Sequence, residues 1–197
     1  MPVRNLDALT LLVTAMIAID ASLAPTVLLM VNVAPTFFIT NIVPYARTFD
    51  TIQWSFKVAM LIVFGRWIYL AGRNLLDANV DGLKFAPSAR IWWFVVPVAG
   101  LFKPFQAMRE LSNGSLDILP RDRNDLVVTL WWTLLLAKIA LLWASRGQGK
   151  THSSYMMFMS ATTIIDVALA TVAIAMIRRI AAAQRNFGES QLGEVFA

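Results

Sequence analysis

Five ionisable side chains lie inside otherwise apolar stretches of this sequence: Asp20, Lys57, Arg66, Lys138 and Asp166. A charge in an apolar stretch is costly, so such residues pair, face a protein interior or line a path for ions or protons. At about 1.5 Å per helical residue, Lys138 stands roughly 20 Å along its helix and Asp166 roughly 18 Å along its own. Neighbouring antiparallel helices would bring them level. By the same count Asp20 stands at roughly 21 Å, between Lys57 at roughly 23 Å and Arg66 at roughly 10 Å, which makes Lys57 the nearer partner. The same residues could serve a proton or ion relay. A relay needs a continuous polar chain, and few other polar groups occupy these stretches, so the expectation is two structural pairs, Asp20–Lys57 and Asp166–Lys138.

Other chemistry is sparse. There is no cysteine, which excludes disulfides, thiolate metal sites and cysteine nucleophiles. His152 is the only histidine, too few for a histidine-rich metal centre, and its neighbours Ser153 and Ser154 do not make a triad. No Gly-rich phosphate loop, His-Glu-x-x-His or Gly-x-Ser-x-Gly motif occurs. Asp77 and Asp81 read as a solvated face rather than a metal site. Trp92-Trp93 and Trp131-Trp132 could stack on a flat quinone or porphyrin, but such residues more often form interfacial belts and anchors. A non-catalytic protein is therefore expected, with no cofactor or metal beyond bound lipid.

These residues are carried by a chain that is 58% hydrophobic and only 15% charged over 197 residues. Soluble domains are nearer half apolar and a quarter charged, and one this small cannot hide the excess. The net charge of +5 is scattered at the ends of apolar runs rather than gathered in a stripe, so it reads as a topology signal and not as a nucleic-acid surface. Apolar spans are predicted at Leu6–Val33, Thr51–Gly72, Asp125–Ala144 and Tyr155–Ile177. The first reads as a retained helix rather than a cleaved signal, because Pro25 would follow the cut and apolar sequence continues beyond it. Connectors are expected at Ala34–Asp50, Leu111–Asn124 and Ser145–Ser154.

Between Arg90 and Glu110 an apolar run of about twelve residues is interrupted by Pro97, Gly100 and Pro104, short of the roughly 20 residues a spanning helix needs. Leaving it on one side puts eleven basic residues inside and only Arg47, Arg146 and Lys150 outside, whereas letting it cross puts eight outside. The predicted fold is an all-α integral membrane protein with four transmembrane helices plus a Pro-broken re-entrant or interfacial helical segment. It is read as a single polytopic domain over residues 1–185 and a short polar tail over 186–197, with both termini cytoplasmic.

The broken segment also carries the most specific pattern. Trp67, Tyr69, Arg73 and Asn74 close the second span, and Pro87, Trp92-Trp93-Phe94 and Pro97 follow. Leu101, Pro104, Met108, Arg109 and Glu110 complete it. In this order and spacing the chain, from roughly Thr51 to Ile177, resembles the bacterial domain-of-unknown-function 4328 family, departing from it at Gly100, where the family often has Asn. The resemblance implies a bacterial membrane protein and no mechanism. In physical terms, pairing of Glu110 with an arginine such as Arg73 would tie the broken segment to the second span. The functional expectation is an accessory or interaction subunit that contacts lipid and either other integral membrane proteins or its own copies. The alternative is a small transporter or channel using the broken segment and the buried charges.

Overall fold

The computed structural model describes residues 4–146 and 152–195, and among these the secondary structure is entirely helical. The chain runs through α1 (Asp7–Val33), α2 (Pro35–Asn41), α3 (Ala46–Asp77), α4 (Ala89–Trp92), α5 (Lys103–Ser115), α6 (Leu126–Arg146) and α7 (His152–Val195). Single 3-10 turns lie at Val43–Tyr45 and Ala99–Leu101. Four stretches are long and apolar enough to cross a membrane: Asp7–Val33, Pro35–Asp77, Leu126–Ser145 and Met156–Arg185.

The connector expected at Ala34–Asp50 is helical for most of its length. Pro35 permits only a break at Ala34, after which α2 restarts with the proline in its first turn. α3 then begins at Ala46 and runs 32 residues to Asp77, beyond both expected ends. It continues past Gly72 because Asn74 and Leu75 are fully buried. It stops at Asn79, whose φ of 53° lets Val80 N–H reach Leu75 O at 3.0 Å and Asn79 N–H reach Leu76 O at 3.0 Å. The same closure ends α5, where Asp117 at φ 52° lets Ile118 N–H reach Asn113 O at 2.9 Å. Ser112 to Ser115, expected in a loop, form the buried last turn of α5. The expected Ser145–Ser154 connector lies largely outside the described residues.

α1 packs against α3 and α7, and α7 against α1 and α6. α5 touches α3, α6 and α7, and so bridges α3 and α6, which do not otherwise pack on each other among the described residues. The core gathers at the end of the bundle where α3 and α7 finish and α1 and α6 begin, around Trp67, Leu75, Met108, Val128, Met176 and Ile180. At Gly114 a Cβ would come 2.8 Å from Leu75 Cδ1, so glycine there sets how closely α5 lies on α3.

Away from that end, two ion pairs join adjacent helices. Lys57 Nζ of α3 lies 3.5 Å from Asp20 Oδ2 of α1, and Lys138 Nζ of α6 lies 2.6 Å from Asp166 Oδ1 of α7. Arg66 takes no part; its guanidinium lies over the Tyr69 ring at 5.9 Å. Asp166→Asn leaves Lys138 uncompensated and should destabilise the protein in detergent by about 1–2 kcal/mol. Thermal unfolding of Asp166→Asn beside a Lys138→Met/Asp166→Leu double variant checks this, the double variant being the milder of the two.

Candidate functional site

The residues from Arg90 to Glu110 do not form one helix. α4 ends at Trp92, tight turns carry the chain through Phe94 to Val98, and α5 starts at Lys103. Pro104 does not break this helix. It stands buried in the first turn, where its missing N–H would have no partner anyway. Pro97 is where the chain turns: Ala99 N–H reaches back to Pro97 O at 2.7 Å, with Val98 between them at φ 62° and ψ −56°. This three-residue turn is rare and strained, and a β-branched residue pays most for it.

The segment is held at its base by charge. The Arg90 side chain is fully buried and donates from Nη2 to Glu110 Oε1 at 2.8 Å, from Nη1 to Ala107 O at 2.9 Å and from Nη2 to Phe85 O at 3.1 Å. Glu110 also accepts from Lys84 N–H at 2.7 Å and Phe85 N–H at 3.1 Å. The first residue of the segment is thus bonded to residues at its end, and the chain returns alongside α3. Burial lowers the Arg90 pKa, and the charge and hydrogen bond of Glu110 oppose that shift. Arg90 crosses α3 at Gly72, where a Cβ would lie 3.2 Å from Nε. Glycine eases this close approach, because any Cβ would push on the Arg90 side chain.

The expected tie between Glu110 and Arg73 does not form. Arg73 pairs within its own helix with Asp77 at 3.8 Å, and Asp77 also takes the Arg4 guanidinium. Arg109 reaches Asn124 Oδ1 at 3.5 Å and lies over the Phe105 ring.

Two further polar junctions surround this base. Asn74 accepts from Arg4 N–H at 2.9 Å and donates to Arg4 O at 2.9 Å and Gln184 Oε1 at 3.0 Å. Gln184 in turn donates to Ala71 O at 3.0 Å and Ser115 Oγ at 2.8 Å. Both amides therefore use every donor while joining α3, α5, α7 and the N-terminal residues. The second junction is Asp125, which caps α6 through the amides of Val127 and Val128 at 3.0 and 3.4 Å. It also accepts from Ser112 Oγ at 2.6 Å and from Arg179 Nη1 at 3.0 Å. Burial works to raise its pKa, but the Ser112 hydrogen bond, the Arg179 charge and the two amides outweigh it and hold the carboxyl below its ordinary range.

The tryptophans divide. Trp92 is 67% exposed and Trp54 is 71% exposed, but Trp67, Trp131 and Trp132 are buried, and the last two are not the interfacial anchors expected. Trp67 Nε1–H donates to Thr10 Oγ1 at 2.9 Å, tying α3 to α1. Trp132 Nε1–H donates to Leu101 O at 3.1 Å, and its ring meets Phe94 edge-on at 6.4 Å. The Trp131 and Trp132 rings thus lie against protein, whereas the Trp92 ring stays exposed. Trp93 lies under Lys103, 5.9 Å from Nζ to the ring centre.

Sequence reasoning overlooked Arg90, Asp125 and Gln184 as site residues. Asp125 had a signal, a carboxylate immediately before an apolar run. Nothing in the spacing marked the other two.

Glu110→Gln leaves the buried Arg90 charge without its partner and should cost about 3–5 kcal/mol, read by thermal unfolding in detergent. Because the Asp125 pKa is lowered on folding, its contribution is present above the unfolded value near 4 and disappears as pH falls through the folded one. The unfolding temperature should fall on acidification below about pH 4, and Asp125→Asn should flatten that fall.

No curated protein and no solved structure matches the chain. The family described as domain of unknown function (DUF4328) matches residues 43–182, which takes in α3 through the greater part of α7 and with them Asn74, the Arg90–Glu110 pair and Asp125. The chain is a member of the DUF4328 family.

Proposed function

We propose that the protein is a non-catalytic accessory subunit of a bacterial inner-membrane complex, and that it offers residues 92–102 to another integral membrane protein. The observation that carries this reading is an exposed apolar tip on a rigid polar base. Trp92, Val95, Val98 and Phe102 are 67%, 71%, 75% and 61% exposed, while Arg90 and Glu110 behind them are buried and bonded. Strain at Val98 is kept rather than relaxed, which is characteristic of segments held in shape for a partner.

The tip reaches Trp132, six residues into α6, or about 9 Å along its axis. That is far short of the ~30 Å apolar core of a bilayer, which supports a segment that does not cross and four spans with both termini on one side; the excess of basic residues on that side favours the cytoplasm. Four of the five intramembrane charges also favour an interaction role over transport, since Asp20, Lys57, Lys138 and Asp166 are spent on a neighbouring helix.

A photoreactive residue at Val95 of the full chain, irradiated in native membranes, should crosslink one discrete polypeptide of different sequence. Trp92→Ser with Val98→Ser should reduce that crosslink by about tenfold, as loss of a buried anchor does. Crosslinks only to a second copy, together with ion flux after reconstitution into vesicles, would overturn this reading in favour of a transporter.

A further inference from the structure

A cleft of about 520 Å³ opens at the polar end of the bundle between the 82–85 loop, α5 and the 119–122 turn. Its charged lining is Lys84, Arg109, Arg121, Glu110 and Asp122. Most of that charge is committed. Glu110 is neutralised by Arg90 and two amides. Arg121 is bound to Asp117 and to the carbonyls of Asp81, Asn113 and Ile118. Asp122 is exposed and, among the described residues, pairs only with Lys84, at 3.7 Å.

Arg109 is the exception. It has no carboxylate within ion-pair distance among the described residues, and its one hydrogen bond, to Asn124, is long at 3.5 Å. Its Nε is buried and has no hydrogen-bond partner. One face of the guanidinium rests over the Phe105 ring, 5.1 Å from its centre. A guanidinium stacked on an aromatic, with donors left over, is suited to bidentate contact with a phosphate.

The apolar neighbourhood is equally specific. Phe85, which lines the cleft, shares Lys103 with Trp93, so the basic lining passes directly into the exposed apolar surface of residues 92–102. We infer that this cleft binds a phosphate ester, with Arg109 as its principal ligand and Lys84 as the second, and that an anionic phospholipid headgroup is the source its surroundings suit. The acyl chains would then lie against the apolar tip. Acyl chains and the protein partner proposed above would compete for that tip, but the headgroup site itself needs no protein partner.

The test uses the purified full chain in mild detergent, titrated with dioleoyl phosphatidylglycerol, dioleoyl phosphatidylcholine or inorganic phosphate and read by thermal shift. Phosphatidylglycerol should raise the unfolding temperature saturably where phosphatidylcholine does not. Arg109→Gln should weaken the apparent affinity about tenfold and Lys84→Gln by less, as loss of one charge-assisted hydrogen bond predicts. Arg178→Gln, an exposed cation on α7 away from the cleft lining, should leave the titration unchanged. A saturable shift with inorganic phosphate that Arg109→Gln removes supports the same site with a soluble ester as its source. No shift with either anion, or a shift that survives both Arg109→Gln and Lys84→Gln, would sink the inference. So would an equal loss in Arg178→Gln, which would mean unspecific surface attraction.

Discussion

A buried arginine and a buried glutamate, twenty residues apart in sequence, govern the shape of this protein. Neither tolerates burial alone, because an unpaired charge in a low-dielectric interior costs several kcal/mol. Together they close a loop: Arg90 brings Ala107 and Glu110 back beside Phe85, and Glu110 stitches down the amides of Lys84 and Phe85. The segment between them is thereby forced to turn, and the apolar tip follows from that constraint. Gly72 is part of the same arrangement, since a side chain there would crowd Arg90 where it crosses α3.

The rest of the polar end obeys the same logic. On the membrane reading, lipid surrounds helices with surface as apolar as their own, so burial of leucine and valine does little to choose which helices meet. Hydrogen bonds and ion pairs choose instead. Asn74 and Gln184 set α3 against α7 and α5, Asp125 sets α5, α6 and α7 together, and Trp67 sets α3 against α1. Most of the buried polar residues lie at this one end, while the pairs at Lys57 and Lys138 pin the helices farther along. α5 is short and amphipathic, yet it joins α3 to α6, and its polar last turn makes it fit.

Much of this was legible in the sequence. Long apolar runs marked the four span-capable helices, and helical rise alone levelled Asp20 with Lys57 and Lys138 with Asp166. The prolines located the break in residues 90–110. Other features were hidden because polar residues change meaning when buried. Ser112, Asn113, Gly114 and Ser115 have loop composition, but they form a helix end whose side chains face Asp125, Arg121 and Gln184. Trp131 and Trp132 have the look of a membrane belt, yet both are buried, Trp132 against Leu101 and Phe94 of the broken segment, which no local pattern reveals. Glu110 was singled out and its partner misassigned, since Arg73 and Arg90 are equal candidates until the path of the chain is known.

The Asn74–Gln184 contact bridges 110 residues, so it cannot exist until the final helix has been made. Until α7 is in place, Asn74 has only its bonds to Arg4 and Ser115 only its bond to Leu111, and the bonds to Gln184 come last. Closing so long a loop is slow. The chain therefore has a built-in order of assembly: early helices are held provisionally, and a single glutamine near the C-terminal end of the last one completes the polar junction they share.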